Sequence, residues 1–145
     1  AKYLVDDSRE EIRQTFLFDQ LEIPGKQRWD DYKYDLKYLR NHFIDFQTEL
    51  KGSSWPALVI ENHDNPRCVN RFSINAAKYR YEAATMLAVV TYMGFGTPFI
   101  YMGQEAGLVN CDFQKIDEMM DPVSHFVYDL MTGYGMPKKL AFSFI

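Results

Sequence analysis

The sequence predicts an α/β fold with a parallel sheet, a portion of a (β/α) barrel, on three observations. Apolar runs centred near Phe16, Leu58 and Phe99 recur at intervals of about 40 residues, a helical pattern lies between each pair, and every run ends in polar residues. Continuous apolar strands joined by crossover helices need cover on both faces, and regular spacing with polar exits favours a barrel over a doubly wound sheet. A full barrel takes eight such units and typically about 250 residues. The chain has 145 residues and supplies three units.

The elements follow in order. The charged opening from Ala1 to Gln14 allows a short helical turn around Asp7 to Ile12. Thr15-Phe16-Leu17-Phe18 is β-branched and aromatic and ends at Asp19-Gln20, which predicts a buried strand with a polar exit. Leu21 to Asp31, with Pro24-Gly25, reads as a loop. Asp35 is placed to cap a helix in which Leu36, Leu39, Phe43, Phe46 or Gln47, and Leu50 fall three and four apart, with Gly52 as its stop. Ala57 to Ile60 predicts the second strand. A helix capped by Ser73 or Asn75 runs to about Tyr92 and ends at Gly94 and Gly96. Thr97 to Met102 predicts the third strand, with Phe99, Tyr101 and Met102 mainly core, closed by Gly103-Gln104-Glu105-Ala106-Gly107. Beyond Leu108 the pattern is less regular: Gln114 to Met120 and Val123 to Thr132 read as short helices, with breaks at Asp121-Pro122 and from Gly133 to Pro137.

Composition narrows the function classes. The chain is 47% hydrophobic, which suits one domain or a piece of one. Its 20 acidic and 16 basic residues are spread without long runs and give a net charge of -4, so nucleic acid and anionic membrane are not expected partners. No segment reaches the ~20 consecutive apolar residues of a membrane span, and no basic and apolar leader opens the sequence. Cys68 and Cys111 lie far apart without a CxxC or a histidine at ligand spacing, so free thiols in a reducing cytoplasm are expected rather than a disulfide or a zinc site. His42 and His125 lack acidic or cysteine partners at metal spacing and read as surface or packing residues.

The densest hydrogen-bonding charge in the chain is Glu61-Asn62-His63-Asp64-Asn65-Pro66-Arg67, directly after the second apolar run. In a barrel the strand exits converge over the packed interior, which would put Asp19-Gln20, His63-Asp64 with Arg67, and Gly103-Gln104-Glu105 on one face. Pro66 keeps Asn65 extended and helps turn Arg67 back towards the cleft. A lone strand-end Asp or Arg is more often an ion pair that ties loops down than part of a site. Four polar neighbours beside a fixed proline favour a site here, whereas for Glu105 spacing alone favours the ion-pair reading.

At these residues the sequence resembles the α-amylase family of glycoside hydrolases, in the branch of oligo-1,6-glucosidases, α-glucosidases, dextran glucosidases and trehalose-hydrolysing or isomerising enzymes. The likeness is carried by WPALVIENHDNPRCVNRF, YRYEAATMLAVVTYM, GTPFIYMGQEAGLVN and FQKIDEMMD, and it covers most of the chain from about Thr15 to Asp121. Met102, where a glutamine is common, and Ala106, where a larger apolar residue is usual, depart from the family's wording. The resemblance implies a TIM (β/α)8 barrel, of which residues 1–145 would be the C-terminal half of the catalytic domain, holding strands six to eight with no second domain. It implies a retaining glycosidase acting on α-linked oligosaccharides or disaccharides. Asp64 matches the family's carboxylate that stabilises the oxocarbenium-like transition state, His63 the histidine that donates to the same sugar hydroxyls, and Arg67 the arginine that helps fix the terminal glucose.

A retaining mechanism also needs a nucleophile and a general acid about 5 Å apart. In the family these come from strands four and five, which would precede Ala1. Asp19, Glu22 and Glu61 sit in neither motif, so the chain alone is expected to be inactive. Unpaired strand edges and uncovered inner faces lead to an expectation of self-association. No metal ligands are recognisable, and calcium in the parent protein is left open. The rival readings are a non-catalytic interaction domain like the amino-acid transporter heavy chains, against which the intact His63, Asp64 and Arg67 argue, and a transglycosylase or isomerase sharing every residue seen here.

Overall fold

A computed structural model describes residues 8, 12, 14–26, 33–51 and 54–145. The turn expected around Asp7, the stop at Gly52 and positions 27–31 of the first loop lie outside them. The chain divides into two compact units, one of residues 1–26 and 32–110, the other of residues 27–31 and 111–145.

In the first unit helix α1 spans Leu36–Leu50 and starts where Asp35 accepts a hydrogen bond from the Lys37 amide at 2.9 Å, satisfying one of the amides a helix start leaves open. Leu39, Phe46 and Leu50, seven and four residues apart and so on one side of the helix, bury one face. Strand β1 (Ala57–Leu58) is buried throughout and pairs in parallel with β2 (Thr97–Pro98), Ala57 opposite Thr97 and Leu58 opposite Pro98. Between them lie α2 (Cys68–Phe72) and α3 (Arg80–Tyr92). The core gathers Leu21, Tyr34, Leu39, Ile60, Cys68, Val69, Phe72, Ala83 and Leu87 around the end of β1. A smaller cluster packs Phe46 and Leu50 of α1 on Leu58.

Two of the three expected strands pair; the first does not. Thr15 to Phe18 joins no ladder, and Phe16 and Phe18 are each 49% exposed. The reason lies in the glutamines that flank this run. Alternate carbonyls of the second strand point to opposite sides, and those of Pro56 and Leu58 accept from the Thr97 and Phe99 amides. Trp55 and Val59 face the other way, and their carbonyls accept from the side chains of Gln14 (3.2 Å) and Gln20 (2.7 Å). Side-chain amides thus occupy acceptors that a neighbouring backbone would use.

The third run is likewise less buried than its composition suggests. Phe99 is 38% and Met102 74% exposed, and Tyr101 is half-buried, so these residues are not core. The second helix starts later than expected: Asn75 does cap, its Oδ1 accepting from the Lys78 amide at 3.0 Å, but it caps a turn that precedes α3. Gly94 and Gly96 follow α3 as expected. Gly96 has φ +143° and lies against the Pro56 carbonyl, where no side chain fits. Helix α2 had no counterpart in the periodicity, because five residues carry too little pattern.

In the second unit the segment expected as a helix from Gln114 to Met120 contains a single 3-10 turn, Ile116–Glu118. Helix α4 spans Pro122–Gly133, with Asp121 accepting from the Val123 and Ser124 amides and proline at its first position. A short helix α5 (Lys138–Phe142) packs on α4. Among the described residues no helix is long and apolar enough to cross a membrane.

Candidate active site

The His63–Asp64 turn leaves the end of the second apolar run and is shaped from within by Asn62. The Asn62 Oδ1 accepts from the Asp64 amide and from the Asn65 side chain, both at 3.1 Å, the pattern of an Asx turn. Asn65 in turn accepts from Arg71 Nη2 of α2 at 3.0 Å. These inward ties leave His63 and Asp64 facing outward, with side chains 77% and 67% exposed and His63 Nε2 3.4 Å from Asp64 Oδ1.

Arg67 turns back, as Pro66 suggested, but onto protein. Its Nη1 donates to Glu61 Oε1 at 2.5 Å and to the Met102 carbonyl at 2.7 Å, and its guanidinium lies 5.2 Å from the centre of the Tyr101 ring. The Glu61 carboxylate is fully buried, and its second oxygen accepts from the Cys68 amide at 2.8 Å. The Arg67 backbone amide donates to Asn110 Oδ1 at 2.7 Å, while the Asn110 amide donates to Asn70 Oδ1 at 2.8 Å. The side chain of Arg67 is 23% exposed. Among the described residues, Nε and Nη2 have no hydrogen-bond partner, so this edge retains donors for a ligand hydroxyl.

The sequence reading brought His63, Asp64 and Arg67 together, and the structure holds them on one short loop. It missed Glu61 as the partner of Arg67, although the six-residue separation was a usable signal; Asn110 has none, being 43 residues from its partner in sequence. Glu105, with Arg80, Tyr81, Thr85, Tyr92 and Gln104, lines an open groove of about 630 Å³ between α3 and the loop after β2. That groove is mainly apolar in its lining and does not include His63 or Asp64. Burial pushes the Tyr92 hydroxyl up from its ordinary value, and burial, aided by the Glu61 carboxylate, pushes the Cys68 thiol up strongly. Cys68 is therefore an unreactive packing residue beside Glu61. Both cysteines are free, and among the described residues no cluster of three His, Cys, Asp or Glu side chains is placed to hold a metal.

The family described as "Alpha amylase, catalytic domain" matches residues 1–129. An oligo-1,6-glucosidase from Parageobacillus thermoglucosidasius is 40% identical over 119 residues, which cover 80% of this chain and 21% of that protein. Among solved structures, trehalose-6-phosphate hydrolase from Bacillus licheniformis superposes with a TM-score of 0.88 at 32% identity, and isomaltulose synthase from Erwinia rhapontici with 0.80 at 30%. Each alignment covers 99% of this chain and 26% of the other, so the chain spans about a quarter of the length of these relatives.

Proposed function

The chain belongs to the α-amylase catalytic-domain family, and from that membership we propose that it forms part of a retaining glycoside hydrolase that cleaves α-glucosidic bonds in short oligosaccharides or disaccharides. The observation that carries this reading is the His63–Asp64 pair, exposed on a turn whose other polar side chains are all tied inward. A carboxylate held in this way is free to meet a ligand. Asp64 would lie against the sugar hydroxyls next to the anomeric carbon, where its charge stabilises the developing oxocarbenium ion more than the neutral ground state. His63 would donate to the same hydroxyls. Arg67 would present Nε and Nη2 to the terminal glucose while Nη1 stays with Glu61.

The nucleophile and the general acid of a retaining mechanism have no counterpart here, and we assign them to the parts of the barrel that this chain does not include. The 145-residue chain alone is then inactive, and the parent polypeptide carries the activity. A transglycosylase or isomerase of the same family is the second reading, favoured by the likeness to isomaltulose synthase. The two differ in whether water or a sugar hydroxyl takes the glucosyl group.

The test is glucose release from isomaltose, maltose and a synthetic α-glucoside by the parent polypeptide and its Asp64→Asn variant. Hydrolysis that drops at least about 100-fold with the substitution, folding intact, supports the assignment. Rearranged disaccharide in place of glucose selects the isomerase. A parent inert on all three moves the interaction-domain reading ahead.

A further inference from the structure

We propose that Glu61 is a positioning residue for Asp64, a role that rests on the hydrolase reading above. Its carboxylate faces two donors at once, Arg67 Nη1 at 2.5 Å and the Cys68 amide at 2.8 Å, and it is fully buried. Residues 61 and 67–68 bracket the turn, so one carboxylate closes the loop on which His63 and Asp64 stand. The loop is thereby fixed to the start of α2 through Cys68 and to the end of the third apolar run through the bond from Arg67 to the Met102 carbonyl. Glu61 itself, at 0% exposure, touches no substrate.

The chemistry of the clamp selects a carboxylate. Both partners are donors, so glutamine, although the same size, would turn its NH2 group towards either the guanidinium or the amide and leave donor facing donor. Aspartate keeps the charge but is one methylene too short to reach both. A loosened loop moves Asp64, and displacement of a reacting group by about 1 Å can cost about 100-fold in rate. Arg67 is held by the same carboxylate but keeps its bond to the Met102 carbonyl and its place by the Tyr101 ring, so the larger loss falls on kcat and a smaller one on KM.

The experiment compares the parent polypeptide with its Glu61→Gln and Glu61→Asp variants in kinetics, thermal unfolding and hydrogen exchange of the amides from residue 62 to residue 68. Expected for Glu61→Gln are faster exchange at the amides of residues 62–65 and 68, kcat lowered by about 100-fold with a smaller change in KM, and a lowered melting temperature that still leaves the variant folded at the assay temperature. Glu61→Asp should recover part of the rate. In the Asp64→Asn background Glu61→Gln should add little further loss, since the clamp acts through Asp64. Unchanged exchange and kcat in Glu61→Gln overturns the proposal, and so does a rate loss that the fraction unfolded at the assay temperature accounts for or that multiplies fully with Asp64→Asn. Should the parent prove inert, the hydrolase reading fails separately, and exchange at the amides of residues 62–65 and 68 decides the clamp alone.

Discussion

Asp64 and Glu61 are carboxylates three residues apart and opposite in burial. Asp64 is two-thirds exposed and meets one ionisable neighbour, His63, so Asp64→Asn should shift stability by no more than about 0.5 kcal/mol while removing the charge that the proposed chemistry uses. Glu61 is buried against an arginine, and removing one partner of such a pair leaves the other's charge uncompensated at a cost of about 3–5 kcal/mol. Glu61→Ala should therefore unfold more readily in denaturant where Asp64→Asn does not. His42 supplies a pH dependence of known sign. Its ring stacks on Phe46 at 5.7 Å, and burial lowers its pKa from the ordinary 6.5 against the opposing pull of Asp19 and Asp45. Because the folded value lies below the unfolded one, the stability linked to this group is present above pH 6.5 and is lost as pH falls through the folded value. Thermal unfolding at pH 7.5 and at pH 5 should thus show a smaller acid loss in His42→Gln than in the parent sequence; equal losses would assign the acid sensitivity elsewhere.

At the scale of elements, the joint between β1 and β2 depends on Gly96. A Cβ there would overlap the Pro56 carbonyl oxygen that accepts from the Thr97 amide, and φ +143° is itself unfavourable for a side chain. Gly96→Ala should cost about 3 kcal/mol or more in a denaturant titration, against about 1 kcal/mol for loss of the Asp35 cap in Asp35→Ala. Helix α1 was legible because its cap and its apolar face are local: Asp35 and Leu36–Leu50 carry the whole signal. The pairing of Ala57–Leu58 with Thr97–Pro98 was legible through composition and spacing. Thr15–Phe18 misled because an apolar run shows strand character but not whether neighbouring carbonyls are already taken, here by Gln14 and Gln20. The clasp between Gln47 and Phe95, each bonding the other across 48 residues at 2.7–2.8 Å, left no trace in periodicity, and nor did the pairing of Arg67 with Asn110. The His63–Asp64–Arg67 cluster was legible as a motif, but the division of Arg67 between an inner and an outer edge depends on contacts with Met102 and Tyr101 that spacing does not encode.

For the molecule as a whole, the apolar surface left exposed beside the buried strand β1 suggests self-association, and the structure bears on the route. One edge of the pair is occupied at the Trp55 and Val59 carbonyls by glutamine side chains, and β2 carries Pro98, which has no amide to offer a further strand. Strand-edge pairing between copies is therefore disfavoured. Exposed aromatic surface is not: Phe16 stacks near Phe18 at 6.0 Å and meets Phe99 edge-on at 4.9 Å, and these three rings with Ile100 are 38–53% exposed. Such a patch on an isolated chain favours association through apolar burial. We therefore propose that the 145-residue chain self-associates through this face, and that the same face is covered by other strands in the parent polypeptide. Sedimentation velocity over a range of concentrations should show oligomers that dissociate on dilution. Phe16→Ser with Phe18→Ser should shift the distribution towards monomer, whereas lysines placed at Thr97 and Gln14, beside the strand edges, should not. A chain that stays monomeric at all concentrations would remove the proposal. If the edge substitutions dissociated the oligomer and the aromatic ones did not, association would run along the strands despite Gln14, Gln20 and Pro98.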